Sequence, residues 1–184
     1  MSIRRCIWSR IRWQNVIRSR PGNAISHWHV DDILEHPLPP DVPRWDGRVR
    51  LPVMWLSVQV PLSDVTTAGR GPTEVVAGSH YSGRLPADED PVFEGRRAEP
   101  VFCRAGDIYL FNHQVWHRGR PNLSPDTRYL MQLQYGRGDS IAFRLQGAQR
   151  TPELEAILQG EDPALAEIML GPAKYSSPGH FNRM

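Results

Sequence analysis

Short bursts of apolar residues, several with strict alternation and most bounded by proline, glycine or asparagine, run along the chain from residue 11 to residue 135. That texture predicts strands and turns rather than long helices. IRWQNVIR at 11–18 reads as a first strand leading into the Pro21-Gly22 turn, although Ile3, Ile7 and Ile11 at four-residue spacing could instead form one face of a short helix. A second strand over 24–31 places His27, His29 and Asp31 on one face and Trp28 and Val30 on the other. In VMWLSVQV, 53–60, the set Met54, Leu56, Val58 and Val60 is expected to face the core. Val53, Trp55, Ser57 and Gln59, which mix Trp with polar groups, suit a wet, ligand-holding interior. TEVVAGSH at 73–80 reads as another strand, closing in a Gly-Ser-His turn. The stretch from Ala105 to Tyr135 reads as the centre of the fold. It holds two apolar strands, one ending on His117 and one beginning at Arg128, expected to face each other across a hairpin.

Two long polar connections interrupt this pattern, 36–52 with five prolines and 81–100. Loops of that length in a compact domain commonly cover or select for a site. Beyond Tyr135 the strand pattern fades, and Thr151-Pro152 and Asp162-Pro163 read as helix starts, with Gly171-Pro172 as a stop. Many short strands followed by two short helices predict a mainly β fold, a sandwich or jelly roll with a C-terminal helical cover over about 151–171. One domain spanning 1–184 is expected, with its core over about 11–136.

Composition changes this picture little. Hydrophobic content of 40% and charged content of 23% are ordinary for a globular protein, and a net charge of +2 gives no argument for a nucleic-acid partner. No apolar run reaches the length of a membrane span. Cys6 and Cys103 lack metal-type or redox-type spacing, so free thiols in a cytoplasmic protein are expected. Lysine occurs once, at Lys174, beside twenty-one arginines spread along the chain. Seven of these, Arg44, Arg48, Arg50, Arg70, Arg84, Arg96 and Arg97, fall in or beside the long connections and would suit an anionic group on a small-molecule substrate.

The chemistry lies in four side chains. Alternate residues on one strand face stand about 6.6 Å apart, at about 3.3 Å per residue, so His29 and Asp31 can converge on one ion. With His117 they would make two imidazoles and one carboxylate, the donor set of non-haem Fe(II) oxygenases, which leaves coordination positions open. 2-Oxoglutarate chelates at two such positions and O2 takes the third. The distal carboxylate of that co-substrate needs a fixed cation, and the planar fork of Arg128 suits it better than lysine would.

H-x-D at 29–31, G-P-x-x-V-V-x-G-S-H at 71–80, G-D at 106–107 and H-x-G-x-x-N-x-S-x-x-x-R at 117–128 occur in that order. In this the chain resembles phytanoyl-CoA dioxygenase-like proteins over roughly residues 11–136. The resemblance implies a double-stranded β-helix, a cupin-like jelly roll. It implies His29, Asp31 and His117 as iron ligands, Arg128 as the 2-oxoglutarate anchor and Trp55 as an aromatic residue near the co-substrate. Asn122 and Ser124 would shape the turn, and His80 would have a structural part. It further implies oxidation of a small organic substrate with release of succinate and CO2. Related halogenases carry a small residue where Asp31 stands, so hydroxylation is favoured here. The chain departs from the pattern in a shortened N-terminal region and in Gly119, where relatives often carry a hydroxyl that touches the co-substrate.

Three other readings compete. A cupin-type metalloenzyme without 2-oxoglutarate would use His27, His29 and Glu35. A non-catalytic jelly-roll module would bind metal or ligand only. Within the oxygenase reading, His113 shares strand parity with His117 and could replace it as a ligand. A shortened barrel with an exposed edge is also expected to pair or be covered, which makes a homodimer one outcome.

Overall fold

The computed structural model describes residues 9–31, 33–87 and 89–137, with side chains described from 14 to 136. Eight strands are present among the described residues: β1 (Ser9–Ser19), β2 (Ile25–His29), β3 (Trp55–Pro61), β4 (Thr73–Val76), β5 (Ala98–Pro100), β6 (Tyr109–Asn112), β7 (His117–Gly119) and β8 (Arg128–Arg137). They form two four-stranded sheets in the orders β1-β8-β3-β6 and β2-β7-β4-β5. The fold is mainly β, a jelly roll. A single 3-10 turn, Ser79–Tyr81, is the only helical segment among the described residues, and the helices expected over 151–171 lie outside them. The chain divides into two compact units, residues 14–133 and residues 1–13 with 134–184. The site described below belongs to the first, and of the second only the strand ends 9–13 and 134–137 are described.

The expected central hairpin is not formed. IYLFNHQVWH breaks into β6 and β7, which lie in different sheets, and β7 and β8 are likewise in different sheets. The break is a tight turn in which Val115 N–H reaches Asn112 O (2.8 Å) and Gln114 N–H reaches the Asn112 side-chain oxygen (3.0 Å). Apolar residues continue on both sides of this turn, so the sequence pattern hides it. TEVVAGSH shows a similar shortening. Only 73–76 is strand, and the chain then turns so that fully buried Ser79 accepts the Trp116 N–H (2.7 Å) through its hydroxyl. The short β5 falls inside a connection whose composition is polar, and it lies at the edge of its sheet, where Pro100 is tolerated.

Parity decides which face each strand buries. On β3 the buried positions are Ser57, Gln59 and Pro61, while Leu56, Val58 and Val60 are only half-buried. The apolar set is thus not the buried core face expected of it, whereas Ser57 and Gln59 face inward as expected of a polar interior. On β8 the buried positions are Arg128, Leu130, Gln132 and Gln134, so the inner side of the first sheet is unusually polar. Such a face is costly to bury empty. The apolar core lies instead on the outer side of the second sheet, where Trp28, Val30, Val76, Phe93 and Trp116 cluster with Tyr81 and Ala98 against them. Each large side chain so buried contributes about 1.5–3 kcal/mol. The opposite face of the same strands is thereby left to His29 and His117.

The connection 36–52 is held against 81–84. Leu38 N–H donates to Gly83 O (3.1 Å), Trp45 N–H to Tyr81 O (2.8 Å), and the Trp45 indole to His36 O (3.0 Å). Gly83 has φ +62°, and a Cβ there would lie 2.6 Å from Leu38 Cγ, so glycine is needed for this approach. The Arg84 guanidinium donates to the carbonyls of Pro39, Pro40, Val42 and Pro43 at 2.6–3.1 Å. Proline-rich chain has few N–H groups with which to form its own ladder, so a side-chain fork takes that part. Arg84→Ala is expected to cost about 2–4 kcal/mol of stability and to raise proteolytic cleavage within 36–49 by about tenfold or more. Timed trypsin and chymotrypsin digestion with mass-spectrometric mapping checks this. An unchanged cleavage pattern would show that the loop is held by something else.

Candidate metal centre

His29 ends β2 and His117 begins β7, and the two are direct partners in the antiparallel register. Their rings lie 4.2 Å apart between centroids. Asp31 stands two residues past the end of β2, not within a strand, and returns to the same place because its N–H donates to His113 O (2.9 Å). One ligand atom from each of His29, Asp31 and His117 falls within 4.8 Å of the others. Asp31 Oδ1 is 3.5 Å from His117 Nε2 and 4.0 Å from His29 Nε2.

The hydrogen bonds around this group fix its chemistry. His29 Nδ1 lies 3.0 Å from His27 O and His117 Nδ1 lies 2.9 Å from Val115 O. A carbonyl oxygen only accepts, so each Nδ1 carries a proton, and in the neutral ring Nε2 is the atom that presents a lone pair. The Ser57 hydroxyl donates to Asp31 Oδ2 (3.0 Å), which leaves Oδ1 to face the two imidazoles. Burial and the neighbouring His117 lower the His29 pKa, which keeps its ring neutral. Burial alone would raise the Asp31 carboxyl, but His117, Ser57 and His29 together outweigh it and hold Asp31 below its ordinary value. Two neutral imidazoles and one carboxylate, each oriented by a second hydrogen bond, fit a divalent iron ion.

The other sequence-marked residues are placed as follows. Arg128 is buried on β8, with Nη1 donating to Gly71 O (2.5 Å) and Nη2 to the Ser19 hydroxyl (2.9 Å). Its Nε is buried without a hydrogen-bond partner among the described residues. Burial lowers the Arg128 pKa from its ordinary value, an indication of how dry the position is. Gly71 has φ +67° and would place a Cβ 2.9 Å from Arg120 O, so the Gly-Pro of the 71–80 motif shapes the carbonyl that receives Arg128. Trp55 shares the inward face of β3 with Ser57, one step away on the side opposite Gln59, and its carbonyl accepts His113 Nδ1 (2.8 Å). Asn122 is fully buried and ties the β7–β8 connection together, donating to Ser19 O (3.0 Å) and Asp126 O (2.7 Å) while accepting from Ser124.

His113 does not join the cluster. It is 1% exposed, held between Trp55 O and a Glu35 carboxylate oxygen 3.1 Å from its Nε2. Glu35 is thereby engaged away from His27 and His29. His80 stacks against Tyr81 at 4.3 Å, and burial lowers its pKa. Of the loop arginines, Arg44 pairs with Glu94, Arg48 with Asp46 and Arg70 with Asp126, and Arg84 is held by carbonyls. Their partners leave the case for an anionic substrate weaker than their number suggests. Sequence reading assigned no part to Ser57 as the partner of Asp31, although a serine on the buried side of an apolar strand was a usable signal. It also missed Ser19 and Gly71 O as partners of Arg128. Nothing local marks contacts so distant in sequence.

Comparison with known proteins identifies the fold and the family. The chain is 32% identical over 108 residues to the uncharacterized protein Rv1501 of Mycobacterium tuberculosis, a match covering 59% of this chain and 37% of that protein. The fold is similar to that of HygX from Streptomyces hygroscopicus with iron bound, at a TM-score of 0.54 and 21% identity over 79% of this chain and 65% of HygX. The structure of HygX with nickel, 2-oxoglutarate and hygromycin B gives a TM-score of 0.55 and 21% identity, covering 76% of this chain and 64% of HygX. The chain thus spans just over a third of the mycobacterial relative and just under two thirds of HygX. At that identity the likeness to HygX speaks for a shared fold. A model of the phytanoyl-CoA dioxygenase (PhyH) family matches residues 4–130, more than half of the sequence, and the chain belongs to that family.

Proposed function

We propose that the chain is an Fe(II)- and 2-oxoglutarate-dependent oxygenase that hydroxylates a small organic substrate. The observation that carries this reading is the convergence of His29, Asp31 and His117 with both Nε2 lone pairs exposed to one point and the carboxylate turned toward them. In this reading those three side chains hold the iron, Arg128 receives the distal carboxylate of 2-oxoglutarate and Trp55 lies beside the co-substrate. Iron bound to 2-oxoglutarate supplies the oxidising power drawn from O2, with succinate and CO2 released. The protein's own residues supply placement. Ser57 would orient the Asp31 carboxylate by holding Oδ2, and the Val115 and His27 carbonyls would fix the two rings. The polar residues buried on the first sheet, Ser57, Gln59, Arg128 and Gln132, supply hydrogen-bonding groups away from solvent that a dicarboxylate could use in this reading.

Anaerobic titration of metal-free protein with Fe(II), then 2-oxoglutarate, is expected to give the weak visible charge-transfer band of the chelated complex, and aerobic incubation to yield succinate. Iron binding without the band would move the reading to a metal-binding module. Succinate formation absent with every candidate substrate, and without any, would do the same.

A further inference from the structure

Asp31 is the one member of the cluster that no strand carries. His29 and His117 are fixed by the β2–β7 ladder, in which they are direct partners. Past the end of β2 a single backbone bond, Asp31 N–H to His113 O (2.9 Å), brings the chain back to that ladder. One bond leaves the following residues free to pivot about it. What holds them is one side chain. Gln114, 5% exposed, donates its amide N–H to Ile33 O (2.9 Å) and accepts the Glu35 N–H at its amide oxygen (2.9 Å). An amide that serves a carbonyl and an N–H two residues apart does for this stretch what the backbone of a neighbouring strand would do. Gln114 belongs to the tight turn between β6 and β7, where its own N–H is held by Asn112 Oδ1 (3.0 Å). The next residue of that turn, Val115, supplies the carbonyl that orients the His117 ring (2.9 Å).

We propose that Gln114 is a positioning residue of the metal centre, acting through residues 33–35 to fix the Asp31 carboxylate against His117. This rests on reading His29, Asp31 and His117 as the metal ligands. One turn then sets both partners of the 3.5 Å approach between Asp31 Oδ1 and His117 Nε2. The His113 carbonyl is available whatever residue stands at 113, whereas the two Gln114 bonds need an amide of that length. Gln114 is buried, so water does not freely replace either bond. Without the amide, Ile33 O and Glu35 N–H must shift to find other partners, and the Asp31 backbone shifts with them. A metal ion reads such a shift closely, because its donor distances must fall within about 0.2 Å of their preferred values. The Glu35 carboxylate still meets His113 Nε2 at 3.1 Å, a second tie that lets the chain fold when the amide is removed.

The test measures binding of Fe(II) and Co(II), by competition with a chelator, to the full chain as wild type, Gln114→Met and Gln114→Glu, each alone and combined with Asp31→Ala. Gln114→Met is expected to weaken both ions by about tenfold or more. It should also change the visible bands of the Co(II) complex, which report the donor set around the ion. Gln114→Glu keeps the acceptor for Glu35 N–H and loses the donor to Ile33 O, so it should move in the same direction, and it carries the test if the methionine variant does not fold. With Asp31→Ala already present, either change at Gln114 should alter the residual affinity by no more than about twofold, because no carboxylate is left to place. Equal weakening with and without Asp31 would make Gln114 a merely structural residue and overturn the proposal. Unchanged metal affinity, or weakened affinity with unaltered Co(II) bands, would overturn it as well. Wild-type protein that binds neither ion would instead overturn the metal-centre reading on which the proposal stands.

Discussion

Asp31→Ala is expected to lower Fe(II) affinity by on the order of a thousandfold and to abolish turnover. Asp31 supplies the only negative charge among the three clustered donors, and the two imidazoles left behind would hold iron as a neutral pair. Asp31→Asn keeps the shape and a partner for the Ser57 hydroxyl but removes the charge, and it should recover little. Ser57→Ala leaves all three donors in place and unlocks only the carboxylate orientation, so a loss of about ten- to a hundredfold is expected. His113→Ala gives the contrast. It breaks contacts with Trp55 O and Glu35 and lowers thermal stability, yet removes no donor from the cluster. Equilibrium dialysis with metal analysis separates these cases, and iron loss in His113→Ala at full secondary structure would unseat His117. The lowered His29 pKa also sets a direction with pH: protons compete for its ring less than for an ordinary imidazole, so its share of metal binding should be lost at lower pH than an unperturbed histidine would allow.

Most of that cluster could be read before any coordinates because strand parity is a local property. His29 and Asp31 share a face by alternation, and Trp28 and Val30 fall on the other, where they join the apolar core. The parity argument succeeded for Asp31 even though the strand had ended, since the His113 carbonyl continues the extended course by one bond. On β3 the alternation held and the polar set faces inward, but the apolar set is not the buried face expected of it. In a sandwich with a dry interior the apolar side of a strand faces in, but here the interior is polar, and Leu56, Val58 and Val60 take the outer face. The supposed hairpin failed because hydrophobicity reports burial and not sheet membership. Phe111 on β6 reaches His117 across the two sheets at 4.8 Å, a contact that a continuous strand could not make. Long-range partners such as Arg128 with Ser19, 109 residues apart, leave no mark in composition or spacing.

Arg128→Lys is expected to weaken 2-oxoglutarate by about a hundredfold or more while iron affinity stays within about threefold. In the proposed reading the arginine does two things at once, and lysine can do only part of either. One edge of the guanidinium ties the Gly71 carbonyl to the Ser19 hydroxyl, which links the 71–80 segment to the end of β1. Nε has no hydrogen-bond partner among the described residues and, in that reading, is left for the co-substrate. An ammonium is a single point of charge. If it stays with Gly71 O it abandons the ligand, and if it moves to the ligand it leaves a buried carbonyl and hydroxyl short of a donor, at about 1–3 kcal/mol for each group. The melting temperature should therefore fall along with co-substrate affinity, and it should recover in part when 2-oxoglutarate is added, because a ligand that binds only the folded state stabilises it. Arg128→Leu removes the charge altogether and should show no such recovery at any attainable concentration. Calorimetric titration and thermal melts with and without 2-oxoglutarate measure both quantities on the same samples. A lysine variant that melts lower but binds 2-oxoglutarate as tightly as wild type would make Arg128 a purely structural tie between two segments, with the co-substrate anchor elsewhere on the polar wall.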